Sequence, residues 1–211
     1  MQIEIWSDVI CPWCYIGKRR FEMALANFAH KESVSVIWRS FELDPKSPPQ
    51  YPDTLEQMLA RKYGVSLQEA AAMNARVTAL AKEIGLDYRL SNARPGNTFD
   101  AHRLLHFAVS RQLGDAATER IMHAYFSESL AVGDRAALAR LASEFGISAS
   151  DALVMLESDA YFDAVRADEA RAAKLGITGV PFFVINEKVG ISGAQAVEVF
   201  ADALQKVWAD S

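Results

Sequence analysis

The order of apolar and polar residues predicts a strand, a helix and a second strand at the start of the chain. Residues 2–6 alternate apolar and polar side chains, as a half-buried strand does, and residues 33–42 alternate again. Between them, Ile16, Phe21 and Leu25 recur at the spacing of one helix face. Strand, helix and strand in this order predict a parallel βαβ unit with a right-handed crossover.

The rest of the chain predicts a helical region and then a β-hairpin and a helix. Residues 43–53 contain four prolines, which end the opening unit. A loop is predicted over residues 87–96, and the hairpin over residues 181–185 and 189–191. Helices are predicted over residues 54–63, 66–84, 97–113, 115–127, 134–145, 150–156, 158–175 and 194–207. Ser66 with Glu69 three residues later predicts a capping box at the start of the second of these helices.

This order of elements predicts an α/β fold whose two chain ends form one sheet domain. We expect a discontinuous domain of residues 1–53 and 158–211, with an all-helical domain of residues 54–157 inserted into it. Ligands commonly bind in the cleft between two such domains.

Composition narrows the range of partners. With 22 basic and 27 acidic residues the net charge is -5, and no cluster of Lys and Arg stands out, so a nucleic-acid or anionic-membrane partner is not expected. No stretch is apolar enough to span a membrane, and the N-terminus lacks the pattern of a signal peptide. We therefore predict a cytoplasmic protein.

The two cysteines of the chain lie close together, in the sequence Cys11-Pro12-Trp13-Cys14. Two residues between them allow both sulfurs to share one turn and to close a disulfide. Pro12 suits the first position of the predicted helix, which makes Cys11 the N-cap, where the helix dipole stabilises a thiolate. We expect Cys11 to be the exposed, attacking sulfur, and Cys14 to be the shielded, resolving sulfur.

A zinc site and a pair of ordinary core residues are the alternatives to a redox dithiol. Structural zinc needs four ligands and there is no second pair of cysteines, so ligands would have to come from His30, His102, His106 and His123. We therefore predict no metal. In a reducing cytoplasm the pair is also not expected to be a permanent structural disulfide.

Three segments resemble one known superfamily. They are residues 7–17 (SDVICPWCYIG), residues 97–103 (NTFDAHR) and residues 176–183 (GITGVPFF). The sequence is similar to the DsbA family of thioredoxin-fold oxidoreductases, and resembles most its FrnE-like cytoplasmic branch. That branch is related to the 2-hydroxychromene-2-carboxylate isomerases and the kappa-class glutathione transferases. The resemblance implies a thioredoxin-like fold with a large all-helical insertion.

The resemblance also implies a binding loop opposite the dithiol. It implies a cis peptide bond between Val180 and Pro181, with the backbone of Val180 pairing with the extended backbone of a substrate. By sequence alone, an ordinary trans proline at the start of an edge strand is the alternative. The resemblance places Ser192 and Gly193 at the start of the last helix, where relatives bind the γ-glutamyl carboxylate of glutathione. A simple helix N-cap is the alternative there.

Other residues have two interpretations each. Asn97 and His102 would contribute to substrate binding, as the matching helix does in the isomerases and transferases. Alternatively, Asn97 would cap that helix, and His102 would be either packed in the protein or exposed. Asp8 would accept a proton from Cys14, or it would be bonded to nearby backbone at the end of the strand. Pro12 and Trp13, which lie between the sulfurs, are expected to contact the substrate.

The predicted function is thiol-disulfide exchange with a protein or glutathione. The isomerase and transferase relatives have a serine at the position of Cys11, whereas Cys11 and Cys14 together could form and resolve a mixed disulfide. The alternatives are a glutathione-dependent isomerase or transferase of aromatic or polyketide-like molecules, and a chaperone-like or zinc-holding module. We expect no tightly bound cofactor, glutathione as a co-substrate, and a chain compatible with a homodimer.

Overall fold

A mixed sheet built from both ends of the chain is the centre of the fold. The computed structural model describes residues 1–210, and within them the sheet has four strands in the order β2-β1-β3-β4. Strand β1 is parallel to β2 and antiparallel to β3, which is antiparallel to β4. The strands are β1 (Gln2–Ser7), β2 (Ser35–Ser40), β3 (Phe182–Ile185) and β4 (Val189–Ser192). The predicted βαβ unit and hairpin are confirmed.

Helices account for most of the remaining chain. Within residues 1–210 they are α1 (Pro12–Ala26), α2 (Leu55–Tyr63), α3 (Leu67–Glu83), α4 (Phe99–Val109), α5 (Gly114–Glu128), α6 (Arg135–Ala142), α7 (Ala149–Glu157), α8 (Phe162–Lys174) and α9 (Val197–Ala209). Short 3-10 turns lie at Lys31–Ser33, Leu90–Asn92 and Ser143–Phe145. The predicted α/β class is confirmed.

Several helices begin where a polar side chain accepts hydrogen bonds from their free N–H groups. The predicted capping box of Ser66 and Glu69 is present at the start of α3, and Thr54 and Gln57 form a second one at α2. The carboxylate of Asp134 accepts hydrogen bonds from two backbone N–H groups of α6. Local sequence therefore determines where these three helices begin.

The sheet is covered on both faces. On one face, Ile3, Ile5 and Phe183 pack with residues of α1 and α9, including Phe21 and Phe200. The opposite face carries a second apolar cluster, which consists of Trp6, Ala172, Ile177 and Val184. The alternation of side chains along β1 assigns its residues to these two layers.

A buried ion-pair network fastens β1 to β2 and α8. Glu4 is 2 % exposed and binds the guanidinium groups of Arg39 and Arg171. Burial alone would raise the pKa of Glu4, but the hydrogen bonds from the two arginines outweigh it and lower the pKa. Arg39 also binds Asp168, whose backbone carbonyl accepts a hydrogen bond from the indole of Trp6. Both buried carboxylates of this network are therefore paired with an arginine.

The chain divides into two compact units at boundaries that differ from the predicted ones. One unit contains Met1–Leu43 and the chain from Arg166 onward, and the other contains Asp44–Val165. The predicted boundaries lay after residues 53 and 157. The difference arises because the proline-rich segment packs inside the helical unit, where the Asn97 N–H donates to the Pro48 carbonyl at 2.8 Å. The Tyr51 N–H likewise donates to the Pro95 carbonyl.

The start of α8 and the end of α4 each differ from the predicted bound by four residues. Helix α8 begins at Phe162 instead of residue 158, because the guanidinium of Arg103 binds the carbonyls of Ser158 and Ala160 in a loop. Tyr161 ends that loop with φ of 63°. Helix α4 ends at Val109 instead of residue 113, and the chain turns at Gln112 with φ of 62°.

Two glycines allow the proline-rich segment to pack closely. A Cβ atom on Gly133 would lie 1.8 Å from the carbonyl oxygen of Pro49, and one on Gly96 would lie 2.1 Å from the same oxygen. Both distances are far below contact distance and involve backbone, so neither position accommodates a side chain without displacement of the segment.

We predict that Gly133→Ala lowers the free energy of unfolding by about 2 kcal/mol or more, because the new methyl group displaces the backbone at Pro49. Urea unfolding, monitored by circular dichroism, measures this free energy. Gly179→Ala is the matched control, since a Cβ atom there meets no atom within 4 Å. Equal stabilities of the two variants would contradict the packing argument.

Candidate active site

The register of the sheet places the dithiol beside the Val180–Pro181 segment. Trp6 of β1 lies opposite Phe182 of β3. Because these strands are antiparallel, the chain that leaves β1 toward Cys11 runs beside the chain that enters β3 through Val180 and Pro181. These residues all belong to the sheet unit.

The two cysteines lie at the start of α1. Cys11 is the N-cap and Pro12 is at the first helical position, as predicted. The Cys11 N–H donates to the Asp8 carbonyl at 3.1 Å, and the Cys14 N–H donates to the Cys11 carbonyl at 3.0 Å. The first turn of α1 contains no acidic residue, so no side chain of this turn offsets the positive end of the helix dipole. Both cysteines are free thiols.

The two sulfurs differ less in exposure than predicted. Cys14 is 1 % exposed, which confirms that it is shielded, but Cys11 is only 4 % exposed. The expectation of an exposed Cys11 is therefore wrong. Its thiol faces the Val180 carbonyl, to which Sγ donates at 3.7 Å, so the Val180 backbone covers it.

The surroundings of Cys14 oppose its ionisation. Burial raises the pKa of the Cys14 thiol well above its ordinary value, and the hydrogen bond with Cys11 and its charge raise it further. A hydrogen bond from the Asp8 backbone acts in the opposite direction, while the charge of Asp8 adds to the rise. Cys14 is therefore kept as a neutral thiol until a base removes its proton.

Asp8 connects the dithiol loop to the segment that follows β2. The residue is fully buried, and its Oδ2 accepts the backbone N–H of Leu43 at 2.8 Å. The predicted backbone bond at the strand end is confirmed. The backbone of Asp8 also forms a hydrogen bond with Cys14, and the charge of Asp8 acts on the Cys14 thiol.

The Val180–Pro181 segment is tied to the turn that follows β4. The peptide bond between Val180 and Pro181 is cis. The carbonyl of Pro181 accepts the Gly193 N–H at 2.8 Å. Ser192 is the last residue of β4 and pairs with Phe182.

Ser192 and Gly193 were expected at the start of the last helix, but the structure places them before it. Helix α9 begins at Val197 with Ala196 as its N-cap. Gly193 has φ of 82°, and the Gln195 side chain donates to the Ser192 carbonyl, so residues 193–196 form a separate turn. This turn, hereafter the β4–α9 turn, separates the strand from the helix.

The remaining predicted residues lie in different surroundings. Trp13 is 44 % exposed and Pro12 is partly buried, so both can be reached from solvent. Asn97 and His102 belong to the helical unit. There Thr98 is the N-cap of α4, and the side chain of Asn97, one position earlier, accepts the Phe99 N–H at 3.0 Å. His102 is buried within α4.

Two residues of α1 near the dithiol were missed from the sequence. Gly17 faces Pro181 and Ala194, and Arg20 donates to the Ala194 carbonyl at 2.7 Å. The sequence did contain a signal for Gly17. Glycine inside a helix costs about 1 kcal/mol relative to alanine, so its presence indicates a packing reason such as the close approach of another segment. Arg20 gave no comparable signal.

Residues 1–210 contain neither a cluster of metal-ligating side chains nor a membrane-spanning helix. No three side chains of His, Cys, Asp or Glu are grouped so that they could hold a metal ion. No helix in this part of the chain has the length and hydropathy needed to cross a membrane.

Comparison with known proteins gives a consistent result over the whole chain. The sequence model of the DSBA-like thioredoxin domain matches residues 2–205. The protein YwbO of Bacillus subtilis (strain 168) is 30 % identical over 206 residues, which are 97 % of this chain and 96 % of YwbO.

Solved structures with the same fold include three informative ones. A protein described as a "probable DsbA oxidoreductase" from Streptomyces coelicolor is 45 % identical, with a TM-score of 0.96 over 100 % of this chain and 91 % of that one. A 2-hydroxychromene-2-carboxylate isomerase is 12 % identical, with a TM-score of 0.72 over 98 % and 96 % of the two chains. The cytosolic disulfide reductase DsbM of Pseudomonas aeruginosa is 15 % identical, with a TM-score of 0.67 over 100 % of both. At the two lower identities the likeness is one of fold.

The raised pKa of Cys14 predicts how stability depends on pH. Above about pH 8.5 the unfolded chain loses the thiol proton while the folded chain keeps it, so the unfolded state binds fewer protons. The free energy of unfolding of the reduced protein should then fall with rising pH, by up to about 1.4 kcal/mol per pH unit from this group. Chemical unfolding at pH 7 to 10 measures it. Cys14→Ala should show a shallower decline, and equal declines would refute the assignment.

Proposed function

We propose that this chain, which belongs to the family of DSBA-like thioredoxin domains, is a thiol-disulfide oxidoreductase that uses Cys11 and Cys14. The observation that carries the proposal is the contrast between the two sulfurs. Cys11 lies at the N-cap of α1 against the Val180 carbonyl, a contact that a substrate can replace, whereas burial inside the first turn holds Cys14 neutral. An attacking sulfur and a resolving sulfur need this contrast.

In the reducing direction, the Cys11 thiolate attacks one sulfur of a substrate disulfide. A bond forms between Cys11 and that sulfur, and the other substrate sulfur leaves as a thiolate. Cys14 then loses its proton and attacks Cys11, which forms the Cys11–Cys14 disulfide and releases the second substrate thiolate. In the oxidising direction the same steps run in reverse. The Cys11–Cys14 disulfide is formed when the substrate is reduced, and it is reduced when the substrate is oxidised.

Asp8 is our candidate for the group that accepts the Cys14 proton. It is buried, and its charge acts on Cys14.

The Val180 backbone takes part in substrate binding. Its carbonyl accepts the Cys11 thiol at 3.7 Å in the free protein, so a substrate sulfur must replace this contact. Trp13, 44 % exposed between the two sulfurs, supplies an apolar contact for the incoming chain.

We propose a protein disulfide or glutathione as the partner in a cytoplasmic setting. The fold is shared with the cytosolic reductase DsbM, of which a complex with GSH has been solved. The β4–α9 turn, in place of the helix start expected from the sequence, is then the candidate site for the γ-glutamyl group. The FrnE-like branch, the homodimer and the contribution of Asn97 and His102 to the substrate site stay predictions.

A glutathione-dependent isomerase is the second candidate function. It is favoured by the fold shared with 2-hydroxychromene-2-carboxylate isomerase. It is disfavoured by Cys11, because a cysteine at that position attacks the disulfide of oxidised glutathione, which forms a mixed disulfide and releases one glutathione thiolate, instead of holding the glutathione thiol.

The proposal predicts opposite behaviour of two single variants. Cys14→Ser should accumulate a mixed disulfide on Cys11 when it is mixed with a peptide disulfide, because the resolving sulfur is gone. Cys11→Ser should form no adduct and should exchange at the uncatalysed rate. Intact-protein mass spectrometry and a peptide-disulfide reduction assay measure these results.

Full exchange activity of Cys11→Ser would overturn the proposal. Glutathione-dependent turnover of an aromatic substrate that survives Cys14→Ser would favour the isomerase. Stoichiometric zinc in the purified protein, lost with either cysteine, would favour the zinc-holding alternative.

A further inference from the structure

A chain of hydrogen bonds leads from the surface of α1 to the Cys11 thiol. The Arg20 guanidinium donates to the Ala194 carbonyl at 2.7 Å. The neighbouring Gly193 N–H donates to the Pro181 carbonyl at 2.8 Å. The carbonyl of Val180, which precedes Pro181, accepts a hydrogen bond from the Cys11 thiol at 3.7 Å. The β4–α9 turn is thus the intermediate between Arg20 and the loop that covers the reactive sulfur.

The same two segments press directly against α1 at Gly17. A Cβ atom on Gly17 would lie 2.9 Å from Pro181 Cγ and 3.5 Å from both Cα and Cβ of Ala194. The proline ring is not the end of a flexible side chain, so it would have to shift together with its backbone. Gly17 therefore sets how closely the loop approaches α1, and Arg20 closes the contact one turn later.

We propose that Gly17 and Arg20 are positioning residues that hold Val180 at its distance from Cys11 by fixing the β4–α9 turn against α1. The inference rests on the proposed function, because it concerns how that site presents Cys11 and the Val180 backbone to a substrate. Neither residue is placed to touch the reacting atoms.

Loss of this contact should make Cys11 more reactive toward a small reagent but should weaken the binding of a peptide substrate. The Val180 carbonyl covers the Cys11 thiol, which is only 4 % exposed, so a loosened loop should open access to the sulfur and make Cys11 react faster with a small alkylating agent. A peptide disulfide, in contrast, needs the Val180 backbone in place, so its KM should rise while kcat changes little. General destabilisation of the protein would not produce this combination.

The test compares Arg20→Ala with Arg19→Ala at pH 7. Arg19 lies on the same helix and carries the same charge, but its guanidinium binds Glu22 instead of the β4–α9 turn. We expect Arg20→Ala to speed iodoacetamide modification of Cys11 and to raise KM for a peptide disulfide, each by about fivefold, which corresponds to one hydrogen bond. Arg20→Lys keeps a hydrogen-bond donor, so its alkylation rate and its KM should lie close to those of the wild type. Arg19→Ala should change neither the alkylation rate nor KM.

Gly17→Ala is the second, independent variant, and it should change both readouts in the same directions as Arg20→Ala. The proposal is overturned if a folded Arg20→Ala matches the wild type, or if Arg19→Ala gives the same changes. A failure of the proposed function has a different signature. The wild type would then show no exchange with the peptide disulfide, while the alkylation rates would still report whether Arg20 positions the loop.

Discussion

The pairing register between β1 and β3 is the constraint on which the candidate site depends. Trp6 opposite Phe182 brings the chain after β1 and the chain before β3 to the same place, so that Cys11 and Val180 meet although 169 positions separate them in the sequence. A slip of one residue would turn every side chain of β3 to the other face of the sheet. The apolar cluster that contains Phe183 on one face and the one that contains Val184 on the other both oppose such a slip.

Within that frame, electrostatics distinguishes two chemically identical thiols three residues apart. Cys14 lies inside the first turn of α1, where desolvation penalises a charge, and the nearby Asp8 carboxyl group adds to this effect. Cys11 is covered by a backbone carbonyl that a substrate can replace. The dithiol is therefore protected in the free protein without being sealed by a disulfide. Its reactivity is governed by a loop that α1 itself positions through Gly17 and Arg20.

The features that sequence predicted well are those set by neighbouring residues. Alternation over residues 2–6, the N-cap role of Cys11 and the capping box of Ser66 depend on local spacing, and each is present. The features that it missed depend on distant partners. The unit boundary moved because Pro49 packs on Gly96 and Gly133, the start of α8 moved because of Arg103, and Cys11 is buried because of Val180. No local pattern contains such contacts.

The central claim is that Cys11 and Cys14 form one reversible redox pair, and equilibration in graded glutathione buffers tests it most directly. Free thiols are trapped by alkylation at each buffer ratio, and the modified cysteines are counted by mass spectrometry. The account predicts that both cysteines lose their reactivity together in a single reversible transition, whose midpoint gives the redox direction. A pair that never closes, or a stable glutathione adduct on Cys11 alone, would contradict it.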